Sequence, residues 1–241
     1  MKNKTALITG AAKRIGAAIA KHLHKSGMDI IVHHHTSAKE ADELVNSLNA
    51  TRTDSAITLQ ANLEQQESYD ALVKEALLFK GKIDVLINNA SVFYPTNIED
   101  MNETNWNELI NVNLKAPLFL SQSAVNSLRE TKGCIVNIAD IHGDKPLKDH
   151  PIYSISKSGL IMLTQSLAKE LAPDVRVNAV SPGAITWPEE MGSKTKELIL
   201  EQCALKRTGT MEDICKAVFF LINDADYITG QVLKVDGGRT L

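Results

Sequence analysis

The stretch Thr9-Gly10-Ala11-Ala12-Lys13-Arg14-Ile15-Gly16 (TGAAKRIG, residues 9–16) follows a short apolar run, Thr5–Thr9, and opens a helix-length pattern near residues 14–26. A glycine turn between a strand and a helix is where a dinucleotide pyrophosphate meets a helix N-terminus, with its free N–H groups and positive dipole end. The usual spacing is GxGxxG, whereas this turn carries only Gly10 and Gly16. Gly10 permits the tight turn, and Gly16 lets the helix pack close to the sheet. Such a turn also occurs in βα connections that hold no ligand; its place after a strand and before a helix is what gives it weight.

Outward from this turn, short β-rich runs alternate with helical stretches. Strand candidates are Thr5–Thr9, Ile30–His33, Ala56–Gln60, Val85–Asn88, Cys134–Ile138, Val175–Val180 and Val232–Val235. Several are apolar throughout, as expected where both sheet faces are covered. Helical patterns lie near 14–26, 38–49, 66–80, 105–128, 152–171 and 211–222. Repeated β-α-β predicts an α/β fold, a single-domain Rossmann-type doubly wound parallel sheet of about seven strands with helices on both faces, spanning 1–241. The stretch around 186–204 breaks the rhythm with Trp187-Pro188 and Met191-Gly192, and reads as a substrate lid at a strand end.

The bulk numbers narrow the class. Among 241 residues, 44% are hydrophobic and 23% charged, the balance of a globular protein with a sizeable core. A net charge of −3 without a basic stripe argues against a nucleic-acid partner. No apolar run is long enough for a membrane span or a secretory h-region, so a cytoplasmic location is expected. Cys134, Cys203 and Cys215 form no CxxC pair and are expected to be buried thiols, with no metal site. In the triple histidine, only His33 and His35 share a side of a strand, so metal binding is the minor reading. His22 and His24 are expected on the surface.

Tyr153 and Lys157 stand four apart, on one face of a helix, as a proton donor beside a cation. Thirteen residues before the tyrosine, the strand Cys134–Ile138 runs into Ala139-Asp140. With Asn88-Asn89-Ala90-Ser91, Asn111-Val112-Asn113-Leu114, Ser181-Pro182-Gly183-Ala184-Ile185, Thr229-Gly230-Gln231 and Asp236-Gly237-Gly238, these motifs resemble the short-chain dehydrogenase/reductase family along essentially the whole chain. Within it, TGxxxRxG, the HxHxSA stretch, NNAS followed by an aromatic, and PGAIxWPE are similar to bacterial pteridine reductases and dihydromonapterin reductases.

The resemblance implies roles. The cofactor would contact Gly10, Arg14, Ile15 and Gly16, then Asn62 and Leu63 beside adenine, Asn89, Ala90 and Ser91, and Pro182, Gly183 and Ile185 near the nicotinamide. Asn62 replaces the family aspartate, and its amide oxygen can still accept a bond. No acid follows the second strand, and His35, Thr36 and Ser37 can donate to a 2′-phosphate, so NADPH is expected over NADH. Ser37 can also cap the following helix. Arg14, Ser91, Phe93, Asp140, Tyr153 and Trp187 would line the substrate, with Phe93 stacked on a flat pterin.

Asp140, Tyr153, Lys157 and Asn113 would form the catalytic group, with Lys157 lowering the tyrosine pKa and binding the ribose, and Asn113 holding a relay water. Ketoreductases of the family carry serine where Asp140 stands, and a carboxylate there would repel their developing oxyanion. A pterin C=N bond needs a proton on a ring nitrogen instead, which an acid–tyrosine pair can deliver. The expected activity is NADPH-dependent reduction of a dihydropterin, with dihydrofolate as a further substrate, in a homotetramer whose 105–128 and 152–171 helices pair. The rivals are a ketoreductase such as a 3-oxoacyl carrier-protein reductase, and a non-catalytic dinucleotide-binding protein. An N-cap or surface acid is the plain alternative for Asp140.

Overall fold

Strands form where β-branched and apolar residues run together, and each sends alternate side chains to opposite faces. In β1 (Thr5–Ile8), Ala6 and Ile8 pack on one side of the sheet and Leu7 on the other. The same alternation divides Ile30 and Val32 from Ile31 in β2 (Asp29–His34), and Val85 and Ile87 from Leu86 in β4 (Val85–Asn88). With β3 (Ala56–Gln60), β5 (Cys134–Ile138), β6 (Arg176–Pro182) and β7 (Val232–Val235), they make one parallel sheet in the order β3-β2-β1-β4-β5-β6-β7. This computed structural model describes residues 1–186 and 192–241. Among them, no helix is long and apolar enough to cross a membrane.

Two cores sandwich the sheet. One is built from α1 (Arg14–Lys25), α2 (Ala38–Thr51) and α8 (Met211–Asn223). The other is built from α3 (Glu67–Lys80), α5 (Ala116–Glu130) and α6 (Pro151–Leu171). The expected doubly wound α/β sheet is therefore present, and β1 and β4 flank the point where strand order reverses. Ligands in such sheets sit beyond the strand C-termini at that point. Strand and helix ends differ from expectation by one or two residues, the usual fraying of boundaries.

Three expectations change. The helix expected over 105–128 is α4 (Glu103–Ile110), a π turn at Asn111–Lys115, and then α5. Pro117 has no N–H to offer the carbonyl of Asn113, four residues back, and its ring crowds that carbonyl, so the helix widens there. His24 is buried and hydrogen-bonded to Ser55 Oγ at 2.6 Å, not on the surface. His22 is half-buried, 3.6 Å from Glu212. Ser37 occupies the N-cap position of α2, but its side chain makes no capping bond. The three cysteines are free and buried, as expected. Within 186–204, α7 (Ser193–Gln202) carries no buried residue, and the expectation for Trp187 falls outside the described residues.

Candidate active site

The first βα turn is fitted around the start of α1. Gly10 adopts a left-handed φ of 60°, and a Cβ there would lie 2.8 Å from the Ala90 backbone. A Cβ on Gly16 would lie 2.5 Å from both Asn89 Nδ2 and the Gly10 carbonyl. The NNAS segment braces this turn. The Asn89 amide donates to the Thr9 and Gly10 carbonyls at 2.8 and 3.0 Å, and Thr9 Oγ1 accepts from the Asn89 and Ala90 N–H groups. No acid lies in the first turn of α1, and Lys13 at its N-cap makes no side-chain cap. The helix thus presents uncapped N–H groups, the chemistry a pyrophosphate needs. Arg14 opens the helix at a φ of 49°, a backbone region that glycine fills without strain.

His33 fixes the floor of this turn. Its Nδ1 accepts from the Gly10 N–H at 3.1 Å and its Nε2 faces the Ala61 carbonyl at 3.2 Å, so the proton sits on Nε2. Burial pushes its pKa down to about 4, which keeps the ring neutral. With both ring nitrogens engaged, His33 is a strut between three strand ends and has no nitrogen free for a metal.

Beyond the strand ends runs a cleft of about 1230 Å³. It is lined by Gly10, Arg14, Ile15, Gly16, His35, Asn62, Leu63, Asn89, Ala90, Ser91, Phe93, Asp140, Tyr153, Lys157, Pro182, Gly183 and Ile185, all singled out from the sequence. Thr36 and Ser37 are not among the lining residues. Neither is Asn113, whose side chain is engaged elsewhere. Its Oδ1 accepts from the Val92 N–H at 2.8 Å, and its Nδ2 donates to the Val92 carbonyl and Ser156 Oγ. Asn113 therefore anchors the loop that carries Phe93, and only its main-chain carbonyl, deprived by Pro117 of a regular helical donor, is left for a water. Asn62 Oδ1 already accepts the Glu64 N–H at 3.0 Å, which leaves it one lone pair for a base.

At the expected catalytic group, Tyr153 Oη donates to Asp140 Oδ2 at 2.9 Å. The other Asp140 oxygen accepts the His142 N–H at 2.8 Å and caps the short 3-10 turn Ile141–Gly143. Lys157 is buried and donates to the Ile138 carbonyl at 3.0 Å, with Nζ 5.7 Å from the Tyr153 ring centre. Burial pushes the lysine down to about 8, partly offset by Asp140. The tyrosine moves the other way from expectation. Burial, then the charge and hydrogen bond of Asp140, hold its phenol far above the usual range, against a smaller downward pull from Ser91. The Lys157 ammonium, which donates to the Ile138 carbonyl, does not outweigh them. Tyr153 is thus a neutral phenol, a proton donor rather than a phenolate.

Phe93 stands half-exposed at the cleft, its ring edge-on to Tyr153 (4.7 Å, 81°) and stacked on His150 (4.8 Å, 16°). His150 thereby backs one face of Phe93. Sequence reasoning missed the cleft-lining Lys13, His33, Glu108 and Arg239. Glu108, held by the Tyr94 hydroxyl at 2.8 Å, had no motif to announce it. Arg239 directly follows the DGG motif, which could have drawn attention to it.

Comparison with known proteins adds the following. The model of a family described as enoyl-(acyl carrier protein) reductase matches residues 10–240. Pteridine reductase 1 of Leishmania tarentolae is 35% identical over 277 aligned positions, covering 98% of this chain and 96% of the relative. A 3-oxoacyl-[acyl-carrier-protein] reductase of Staphylococcus aureus is 36% identical over 240 positions, covering 98% and 97%. An uncharacterized oxidoreductase of Methylorubrum extorquens is 36% identical over 245 positions, covering 99% and 98%. These identities do not separate pterin from ketone as substrate.

Proposed function

The chain belongs to the short-chain dehydrogenase/reductase family, NAD(P)-dependent oxidoreductases, and on that premise we propose that it is an NADPH-dependent reductase of dihydropterins. The observation that carries the reading is the Tyr153–Asp140 hydrogen bond of 2.9 Å, in a cleft that also presents the Phe93 ring. The glycine cradle and the uncapped α1 N-terminus fit a dinucleotide, and the absence of an acid between His33 and Ser37 supports a 2′-phosphate beside His35. NADPH, when bound, supplies the hydride. The protein side of the reaction is proton delivery. Tyr153 gives its proton to the pterin ring nitrogen. A phenolate facing an ionised Asp140 would be strongly disfavoured, and Asp140, which accepts the phenol's hydrogen bond, has no proton of its own to give; it would first take a proton from water and pass that proton to the phenol oxygen as the phenol's own proton goes to the ring nitrogen. Lys157 stabilises the charge that builds on the pair and holds the nicotinamide ribose. The Asn113 carbonyl holds the water behind it.

The open face of Phe93 would stack on the pterin, Arg14 would bridge cofactor phosphates and substrate, and the segment around 186–204 would close over it. A homotetramer accords with the exposed Leu118, Ile155 and Met162 on α5 and α6. The test follows NADPH oxidation with dihydrobiopterin, dihydromonapterin and dihydrofolate, beside acetoacetyl thioesters. Pterin turnover without thioester turnover is expected, with NADPH strongly preferred over NADH. Thioester turnover alone would refute the reading in favour of a ketoreductase. Tight NADPH binding without turnover of either would refute it in favour of a dinucleotide-binding protein.

A further inference from the structure

The chain ends in a turn built to hold one side chain. After β7, Asp236 accepts the Gly238 N–H at 2.9 Å with one carboxylate oxygen. With the other it accepts the Thr240 N–H and hydroxyl at 3.0 and 2.8 Å. The Arg239 N–H closes the turn on the Asp236 carbonyl at 3.2 Å. These bonds draw the carboxylate of Asp236 below the usual range even against its own burial, and they fix the backbone from which Arg239 projects. The guanidinium lines the same cleft as Tyr153, Asp140 and Phe93. Its single side-chain hydrogen bond among the described residues is Nε to Gln202 Oε1, at 3.3 Å, on α7. Among the described residues, no carboxylate lies within ion-pair distance of it and neither terminal nitrogen has a hydrogen-bond partner. Lys13, a further cation lining the cleft, is by contrast paired with Glu40 at 2.8 Å.

We infer that Arg239 is a specificity-determining residue that takes an anionic group on the substrate, distal to the ring being reduced. A guanidinium offers two parallel N–H donors that match a carboxylate, and half-burial in a cleft strengthens that pair over its value in water. Its tether to α7, in the segment that follows β6, separates it from the phosphate-facing turn at Arg14. Resting on the pterin reading, the inference names the preferred class: pterins that carry a carboxylate tail, such as dihydrofolate, over neutral dihydropterins. A phosphate on a thioester substrate offers the same chemistry, and the experiment separates the two sources.

Arg239→Gln and Arg239→Lys are compared with the unaltered protein at saturating NADPH, with dihydrofolate and dihydrobiopterin as substrates. For Arg239→Gln, kcat/KM for dihydrofolate is expected to fall about 10- to 100-fold, the scale of a lost charge-assisted bond. The fall should lie in KM, with dihydrobiopterin kinetics and the NADPH KM changed less than about twofold. Arg239→Lys should recover only part of the loss, and added salt should raise the dihydrofolate KM of the unaltered protein alone. An equal fall for both pterins, no fall for either, or a rise in the NADPH KM would overturn the inference. If neither pterin is turned over, the pterin reading fails by itself. Acetoacetyl-CoA against the uncharged acetoacetyl-N-acetylcysteamine then reads Arg239. An effect confined to the phosphate-bearing thioester would support anion recognition, and equal effects would refute it. In the absence of any turnover, calorimetric binding of dihydrofolate to the NADPH-loaded protein gives the same comparison between the unaltered protein and Arg239→Gln.

Discussion

Asp140→Asn keeps the shape of the side chain and its cap on the 3-10 turn while removing the charge beside Tyr153. The carboxylate oxygen lies 2.9 Å from the phenol oxygen. At an effective dielectric of about 20, two unit charges that far apart repel by about 6 kcal/mol, equivalent to about 4 pKa units. Asp140 is half-buried, so water screens part of this, and a fall of at least about 2 units in the Tyr153 pKa is expected. The readout is phenolate absorbance against pH in the ligand-free protein, with Tyr153→Phe subtracted as the blank. The variant should ionise a tyrosine at a pH where the unaltered protein does not. In the same variant, pterin reduction should lose about 10²-fold or more in kcat, because an amide cannot return a proton to the phenol. If the phenolate appears no earlier and pterin turnover is intact, then Asp140 neither charges the site nor relays a proton. The substrate assignment built on it then falls.

Other residues make separable predictions. Lys157 has a folded pKa near 8 against 10.5 for a free lysine, so between those pH values the unfolded chain binds more protons. Stability of the ligand-free protein should therefore rise with pH across that window by about 3 kcal/mol relative to Lys157→Met, read as the difference in urea midpoints. His33, neutral to about pH 4 in the fold, gives the same sign lower down: its contribution is complete above about 6.5 and is lost as pH falls toward 4, by about 3 kcal/mol. His33→Phe should remove that acid-side slope in the same measurement. Arg14→Gly should relax a left-handed backbone and gain about 1 kcal/mol, or a few degrees in thermal midpoint, while raising the NADPH KM at least about tenfold. Loss of stability there would refute the strain.

The sheet was legible because its causes are local: apolar runs of strand length, helical periods between them, and a glycine turn at one end. The pairing of Tyr153 with Lys157 was legible for the same reason, since four residues along a helix fix a shared face whatever surrounds it. What the sequence hid depends on neighbours distant in the chain. His33 read as sharing one side of the strand with His35, and nothing marked it out as structural until Gly10 and Ala61, 23 and 28 residues away, closed on its two nitrogens. The 105–128 segment read as one helix because its periodicity barely changes, yet Pro117 was in plain view, and its missing N–H is felt at Asn113. The direction of the tyrosine shift went wrong because sequence spacing places Lys157 near the ring but cannot show how deeply the phenol is buried or that the Asp140 carboxylate sits 2.9 Å from it.

Asp140 was given two readings, a cap and a proton relay; one oxygen caps the 3-10 turn, and the other accepts the Tyr153 hydroxyl, the contact that the proposed relay needs. That division bears on why an acid stands there. Capping a short turn is done as well by serine, threonine or asparagine, none of which carries charge. Accepting one bond from a phenol is within reach of the same side chains. The negative charge is therefore surplus to both structural tasks, and it has a cost, since it raises further a phenol that burial already makes a weak acid. In a ketone reduction, where an oxyanion forms beside the tyrosine, that charge would oppose the reaction twice. In reduction of a C=N bond the product nitrogen ends neutral, and a second ionisable oxygen 2.9 Å from the donor supplies what a lone buried phenol lacks, a route for the next proton.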